Sequence, residues 1–263
     1  VDETKDLVSR GVREVTLLGQ IVNAYGRGSL PRINAKTPFV QLLEKLNAID
    51  GLYRIRFTSP HPTCFGDDLI ECYKTLPKLC EYAHLPMQSG SDKILKAMNR
   101  PYSRKRFLDI TAKLRSIHPN IRISTDIILG FPGETDDDYA LTKSAFEQAG
   151  FEMAFIFKYS ERSGTPAEEL EDSVPTTVKE SRNQELLSLL AKQSYYSNTH
   201  SLGKSFEVLV EGRAKKGKNM MLGRTRCNRK VVFEGSDDIV GELVPIFIND
   251  VSSTTLTGEI VKK

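Results

Sequence analysis

Four short stretches carry residues whose types and spacing could bind or transform a ligand. Gly19 and Gln20, followed by Asn23, offer a flexible backbone and two amides able to bond a zwitterion. Ser59-Pro60-His61-Pro62 is a rigid polar segment, its prolines fixing the backbone around one hydroxyl and one imidazole. Residues 86–92, PMQSGSD, bring together hydroxyls, an amide and a glycine just before a helix start, where free N–H groups and partial positive charge accept polar or anionic ligands. Residues 130–135, GFPGET, form the fourth. Each has a plainer reading: residues 88–92 as a helix cap, residues 130–135 as the turn a capped helix needs, and His61 as a surface turn residue. The glycine spacings match neither a phosphate-binding P-loop nor a dinucleotide fingerprint, which disfavours nucleoside triphosphates and NAD. The cysteines Cys64, Cys72, Cys80 and Cys227 show no CxxC or CxxxCxxC spacing, so no metal site and no disulfide scaffold is expected. We assign no catalytic residue from the sequence.

The elements that must position these stretches alternate. Short β-branched or aromatic runs at residues 14–18, 53–57, 82–85, 121–129 and 153–157 read as strands. Between them, helical spacing appears at residues 38–48, 67–75, 104–117 and 135–150; Thr37 and Ser103 serve as caps, and Thr135 with Asp138 resembles a capping box. Such βα repetition describes an α/β fold with a parallel sheet or partial barrel. In that architecture ligands bind at the carboxyl ends of the strands, which is where all four stretches fall. The array opens on a helix ending near Gly11, without an initiator methionine, so a preceding strand and loop are expected and the sequence reads as truncated at its start.

After residue 159 comes a polar stretch, then a helix over residues 176–196. The character changes beyond it to short strands at 206–210, 230–233, 243–248 and 254–261, the pattern of a small all-β barrel. This divides the chain into residues 1–198 and 199–263. The net charge is +3, but residues 211–230 hold eight basic side chains against Glu211 alone: Arg213, Lys215, Lys216, Lys218, Arg224, Arg226, Arg229 and Lys230. This stripe is read either as a contact surface for a polyanion or as a solvated edge protected by lysines. No run approaches the roughly 18 uncharged apolar residues of a membrane span, and the start lacks the features of a signal peptide, so a cytoplasmic protein without membrane contact is expected.

LLGQ with Asn23, RFTSPHP (56–62), HLPMQSGSD (84–92), LKAMNR (95–100) and STDIILGFPGET (124–135) together resemble the radical S-adenosylmethionine methylthiotransferases. YSERSGTPA (159–167) agrees, and GRTRCNRKVVFEG (223–235) is similar to the TRAM module that ends those enzymes. The resemblance runs in order along essentially the whole chain. Its wording favours the branch that methylthiolates isopentenyl-adenosine beside the tRNA anticodon, although Ile21, Met87 and Pro101 depart from that branch. Branches acting on a ribosomal protein or on threonylcarbamoyl-adenosine are near relatives, and an RNA-binding module without catalysis is the reading from another class.

The resemblance implies a partial βα barrel lacking its first strand, followed by a TRAM-like β-barrel. It implies S-adenosylmethionine and two 4Fe–4S clusters as cofactors, the cluster cysteines being absent from this sequence. By motif position, Gly19 and Gln20 match the place that contacts the methionyl amino group, with Asn23 beside them. Ser59 and Gln88 are placed to reach ribose or substrate. Ile128, Leu129 and Gly130 match the segment that packs on adenine, with Phe131 and Glu134 nearby and Asp126 on the same strand. The implied partner is the anticodon stem-loop of tRNA, met by the basic stripe, and the protein is expected to act as a monomer.

Overall fold

The computed structural model describes residues 1–161, 164, 167, 170–217 and 219–261. Helix α1 (Asp2–Ser9) leads into β1 (Glu14–Leu17), and βα units follow: α2 (Pro38–Asn47), β2 (Arg54–Phe57), α3 (Asp67–Thr75), β3 (Tyr82–His84), α4 (Asp92–Ala97), α5 (Arg104–Ile117), β4 (Arg122–Leu129), α6 (Asp136–Ala149) and β5 (Met153–Lys158). β1 pairs parallel with β2, and β3, β4 and β5 form a second parallel ladder. A short bridge joins the two: Ile55 on β2 donates to the Lys78 carbonyl at 2.7 Å, and Cys80 donates back to the Ile55 carbonyl at 3.0 Å. The five strands thus make one curved parallel layer with helices outside it.

The helix boundaries follow from their caps. The Thr37 side chain accepts from the Val40 N–H with Pro38 at the first turn, and Ser103 accepts from the Arg106 N–H. Thr135 and Asp138 form the reciprocal capping box of α6, with aspartate in the usual glutamate place. Each cap contributes about 1 kcal/mol. Gly150 ends α6 in the left-handed region at φ 63°, which glycine adopts without steric cost.

Strand β2 is buried along its whole length, and on β4 the residues Ile123, Ile127 and Leu129 are fully covered by Phe107, Phe146 and Phe151 in one helix-to-sheet core. The other face of β4, carrying Ser124, Asp126 and Ile128, looks into the barrel. Helix α7 (Thr176–Thr199) runs on from the barrel to the second unit.

That unit is a closed five-stranded barrel of β6 (Ser205–Arg213), β7 (Met220–Thr225), β8 (Lys230–Glu234), β9 (Leu243–Val251) and β10 (Leu256–Ile260), in the order β10-β8-β7-β6-β9. Val208, Val210, Met221, Val231, Phe233, Ile246, Ile248 and Leu256 fill it. Sequence reading does not find β7, because MMLGRT mixes glycine and arginine with its apolar residues. Gly223 is in the strand for close approach: a Cβ there would lie 2.4 Å from the Leu209 carbonyl oxygen. Among the described residues no helix is long and apolar enough to cross a membrane.

Candidate functional site

The carboxyl ends of β1 to β4 converge on one rim, where some loop residues adopt left-handed backbone, as do Asn34, Ala35, Asn99, Asn219 and Asn228. Ser59 has φ 56°, Gln88 φ 65° and Gly130 φ 70°, whereas Gly19 needs no left-handed conformation. Two non-glycine residues in that region mark positions over-determined by their surroundings. Gln88 is held from both sides: its N–H donates to the Asp126 carbonyl at 2.8 Å, and its carbonyl accepts from the Ile128 N–H at 3.0 Å. This brings Gln88, Asp126 and Ile128 together on the β3–β4 rim.

The remainder of the QSGSD segment is committed to structure. Ser91 caps α4 and donates to Asp138 Oδ1 at 2.6 Å, while the Gly90 N–H donates to Thr142 Oγ1 at 2.9 Å. A Cβ on Gly90 would sit 2.6 Å from the Leu141 carbonyl oxygen, so the glycine lets this loop lie flat on α6. The cap reading therefore covers Ser89 to Asp92, and only Gln88 remains at the rim.

Asn23 is buried, with both ends of its amide spent on one loop: Nδ2 donates to the His61 carbonyl at 3.0 Å and Oδ1 accepts from the His61 N–H at 2.8 Å. It fastens the β1 loop to the β2 loop. Gly19, Gln20 and Ser59 are exposed beside that clamp. His61 behaves as a turn residue: Nδ1 is 2.7 Å from Thr63 Oγ1, and burial, then nearby Arg100, push its pKa down from the usual imidazole value.

At the β4 end, Ile128 faces the barrel interior and Leu129 faces the helices. The Gly130 N–H donates to Glu134 Oε1 at 2.9 Å, and Arg182 of α7 donates to the same oxygen at 2.6 Å. Phe131 is buried with its ring edge-on to Tyr159 at 5.2 Å. The PGET turn is thus set by a buried ion pair reaching from α7.

Inside the barrel, Asp126 meets two further motif residues, His84 and Ser124, together with Tyr82. His84 Nδ1 is 2.8 Å from Ser124 Oγ, which also bonds the Tyr82 hydroxyl at 2.6 Å, and His84 Nε2 is 3.3 Å from Asp126 Oδ2. Register places Phe155 and Phe157 opposite Asp126 and Ile128, and both aromatic side chains are about half exposed. Alternation along MAFIFK, set against that of β4, is the signal that would have found them.

The basic stripe divides. Arg213 pairs with Asp237 at 2.6 Å and Arg224 with Glu211 at 2.8 Å. Arg226 reaches the first domain, where it pairs with Glu81 at 3.0 Å and donates to the carbonyls of Pro77 and Leu79. Arg229 is bonded to Ser197 and Asn198 of α7. The turn between β7 and β8 is gripped in return: Arg56 donates to the carbonyls of Thr225 and Arg226, Arg54 to that of Arg224, and Arg122 to that of Asn228, all within 3.0 Å. Lys215, Lys216 and Lys230 are exposed, and Lys218 lies outside the described residues.

Among the described residues there is no group of three or more His, Cys, Asp or Glu that could hold a metal ion. Burial pushes the Cys72 thiol up to about 12 and the Cys80 thiol up to about 11, away from the thiolate form that ligates iron. These residues do not fit an iron–sulfur cluster.

Compared with known families, residues 1–144 match the model of the radical SAM superfamily, more than half of the 263 residues. The chain belongs to the radical SAM superfamily. Residues 201–261, which contain the five-stranded barrel, match the TRAM domain. This radical SAM chain is 54% identical over 261 residues to the tRNA-2-methylthio-N(6)-dimethylallyladenosine synthase of Opitutus terrae, covering 99% of itself and 54% of that protein. It is 48% identical over 258 residues to the synthase of the same name from Akkermansia muciniphila, covering 98% of itself and 56% of that protein. The chain therefore spans about half the length of the curated relatives it matches. Among solved structures it is similar to methylornithine synthase, with TM-score 0.46, 16% identity, and coverage of 72% of this chain and 52% of that one.

Proposed function

We propose that this chain is the barrel and TRAM portion of a tRNA methylthiotransferase that places a methylthio group on C2 of N6-dimethylallyladenosine beside the anticodon, and that it works in the cytoplasm. The observation that carries this reading is the 54% identity, spread over 261 residues, to a synthase of that name. We divide the chain near residue 199, where α7 ends.

The donor set on the rim fits S-adenosylmethionine. Gly19 and Gln20 offer a backbone and an exposed amide to the amino-acid end, Ser59 and Gln88 offer polar groups to the ribose, and Ile128 with Gly130 offers an apolar ledge to the adenine. When bound, S-adenosylmethionine supplies the adenosyl group on which radical chemistry depends. The chain's own residues bind and orient it. Gln88 and Ile128 are locked together through the backbone, so ribose and adenine contacts keep a fixed spacing, and Glu134 with Arg182 keeps the Gly130 turn from opening. In this reading the cluster ligands belong to the part of the relatives' length that this chain does not span. His84 and Asp126 face the barrel interior beside this rim, where a flipped-out adenine would meet them.

A binding measurement tests the substrate assignment. Fluorescence anisotropy with an anticodon-arm RNA should give tighter binding when the adenosine beside the anticodon bears the dimethylallyl group, because the half-exposed Phe155 and Phe157 offer apolar area to it. Equal affinity for the alkylated and plain arms would count against the dimethylallyl substrate.

A further inference from the structure

The groove between the amino ends of the barrel strands and the TRAM barrel, about 770 Å³, lies at the opposite end of the barrel from the candidate site. We propose that it takes one nucleotide of a bound RNA strand, with the phosphate on Arg229 and Lys204 and the base on Tyr196. The proposal rests on the reading that the substrate is RNA.

Charge is the first observation. The acids lining the groove are spent: Glu81 on Arg226, Glu152 on Arg115, and Glu207 on Arg54, which is fully buried. Among the described residues neither Arg229 nor Lys204 is paired with an acid. Arg229 is held by neutral groups only, Nε to Asn198 Oδ1 at 3.1 Å, Nη2 to Ser197 Oγ at 2.8 Å and Nη1 to Cys227 Sγ at 2.7 Å. One N–H on each terminal nitrogen is left over, the fork that matches two phosphate oxygens. A half-buried, oriented guanidinium without a counter-charge attracts an anion, and exposed Lys204 adds a second cation to the same groove.

Polar lining is the second observation. His118, Asn120 and Gln193 line this groove, and their side chains carry donors and acceptors of the kind that a nucleobase and its ribose bond.

The third observation is a platform. Tyr196 is 70% exposed, and its ring stands edge-on to that of His200 at 4.9 Å and 82°. His200 Nδ1 lies 2.9 Å from the Tyr196 carbonyl oxygen, which fixes the pair on the last turn of α7. An open aromatic face in a groove that also holds an oriented guanidinium is how single-stranded nucleic acid is gripped without regard to sequence.

The test uses the full chain and a fluorescein-labelled anticodon-arm RNA at low salt. Lys204→Glu and Tyr196→Ala should each raise the Kd about tenfold, and Tyr196→Phe should bind as the parent does. Lys105→Glu, on the outer face of α5, is the control and should leave the Kd unchanged. Circular dichroism confirms that each variant is folded. Parent-like affinity in both Lys204→Glu and Tyr196→Ala, with RNA binding otherwise intact, overturns the groove and leaves the functional reading standing. Competition by free AMP as effective as that by a short RNA also overturns it, in favour of a free-nucleotide site. Absence of RNA binding by the parent chain overturns both.

Discussion

Arg56 donates through Nη2 to the carbonyl oxygen of Thr225 at 2.9 Å, joining the floor of the parallel barrel to the turn between β7 and β8. The same guanidinium donates to the Arg226 carbonyl at 2.8 Å and to Glu14 at 2.9 Å, so one buried side chain holds three acceptors on two segments. Replacing Arg56 by Met leaves two carbonyls without their donor and Glu14 without its nearest cation. The expected loss is about 3–5 kcal/mol, as when one partner of a buried ion pair is removed. Urea unfolding of Arg56→Met would measure it, and Arg56→Lys should recover only part, because an ammonium cannot serve these acceptors with one planar fork.

The division of the basic stripe predicts two different phenotypes. Lys215→Glu, Lys216→Glu and Lys230→Glu together should weaken binding to any tRNA about equally and lower the log–log salt slope by roughly 0.7–0.9 for each phosphate that is no longer neutralised. Arg226→Ala should act first on stability, since its guanidinium is spent on Glu81 and on the Pro77 and Leu79 carbonyls. Salt titrations of RNA affinity beside urea midpoints separate the two. A salt slope unchanged in the triple lysine variant would show those lysines to be a solvated edge.

Asp138 carries a pH dependence. Its burial works against ionisation, but hydrogen bonds from Lys93, Ser91 and Thr135 outweigh it and hold the carboxyl well below the usual aspartate range. A depressed folded-state pKa stabilises the protein at pH values above the unfolded pKa of about 4, and that contribution fades as pH falls below it. Urea midpoints should therefore drop between about pH 4 and pH 2 in the parent. Asp138→Asn should start lower at neutral pH and lose less over that interval. Parallel pH profiles for the two proteins would contradict the assignment.

The thiols should differ in reactivity. Cys72 and Cys80 are buried, with pKa values pushed up to about 12 and about 11, whereas Cys64 is half-buried beside Arg27. At pH 8, iodoacetamide should label Cys64 in the folded chain and reach Cys72 and Cys80 only after unfolding, as read by peptide mass spectrometry. Prompt labelling of Cys80 in the folded chain would mean that the barrel floor opens.

Much of this was legible in the residues because the signals were local. The five parallel strands follow from aliphatic runs punctuated by caps, and the Thr135–Asp138 capping box is written in four residues. Strand β7 was not legible, since its burial depends on β6 and β8 closing around Gly223. The roles of Arg54, Arg56 and Arg122 were invisible for a related reason: RIRF reads as a strand with charged residues, and only the distant β7–β8 turn explains why those charges point inward. Asn23 shows the same limit, because its match to the loop 38 residues away needs the folded chain.

Methylthio transfer is read out by joining this chain to the part of the Opitutus terrae synthase that it does not span. The chimera, incubated without oxygen with iron, sulfide, reductant, S-adenosylmethionine and tRNA bearing N6-dimethylallyladenosine, should yield a nucleoside in which CH3S replaces one hydrogen of the adenine, read by mass spectrometry after digestion. Replacing Gln20 and Gln88 by Ala in this chain should reduce that product at least tenfold while the chimera stays folded. A folded, cluster-loaded chimera that leaves the nucleoside unaltered, or that acts equally well without either glutamine, would contradict the account.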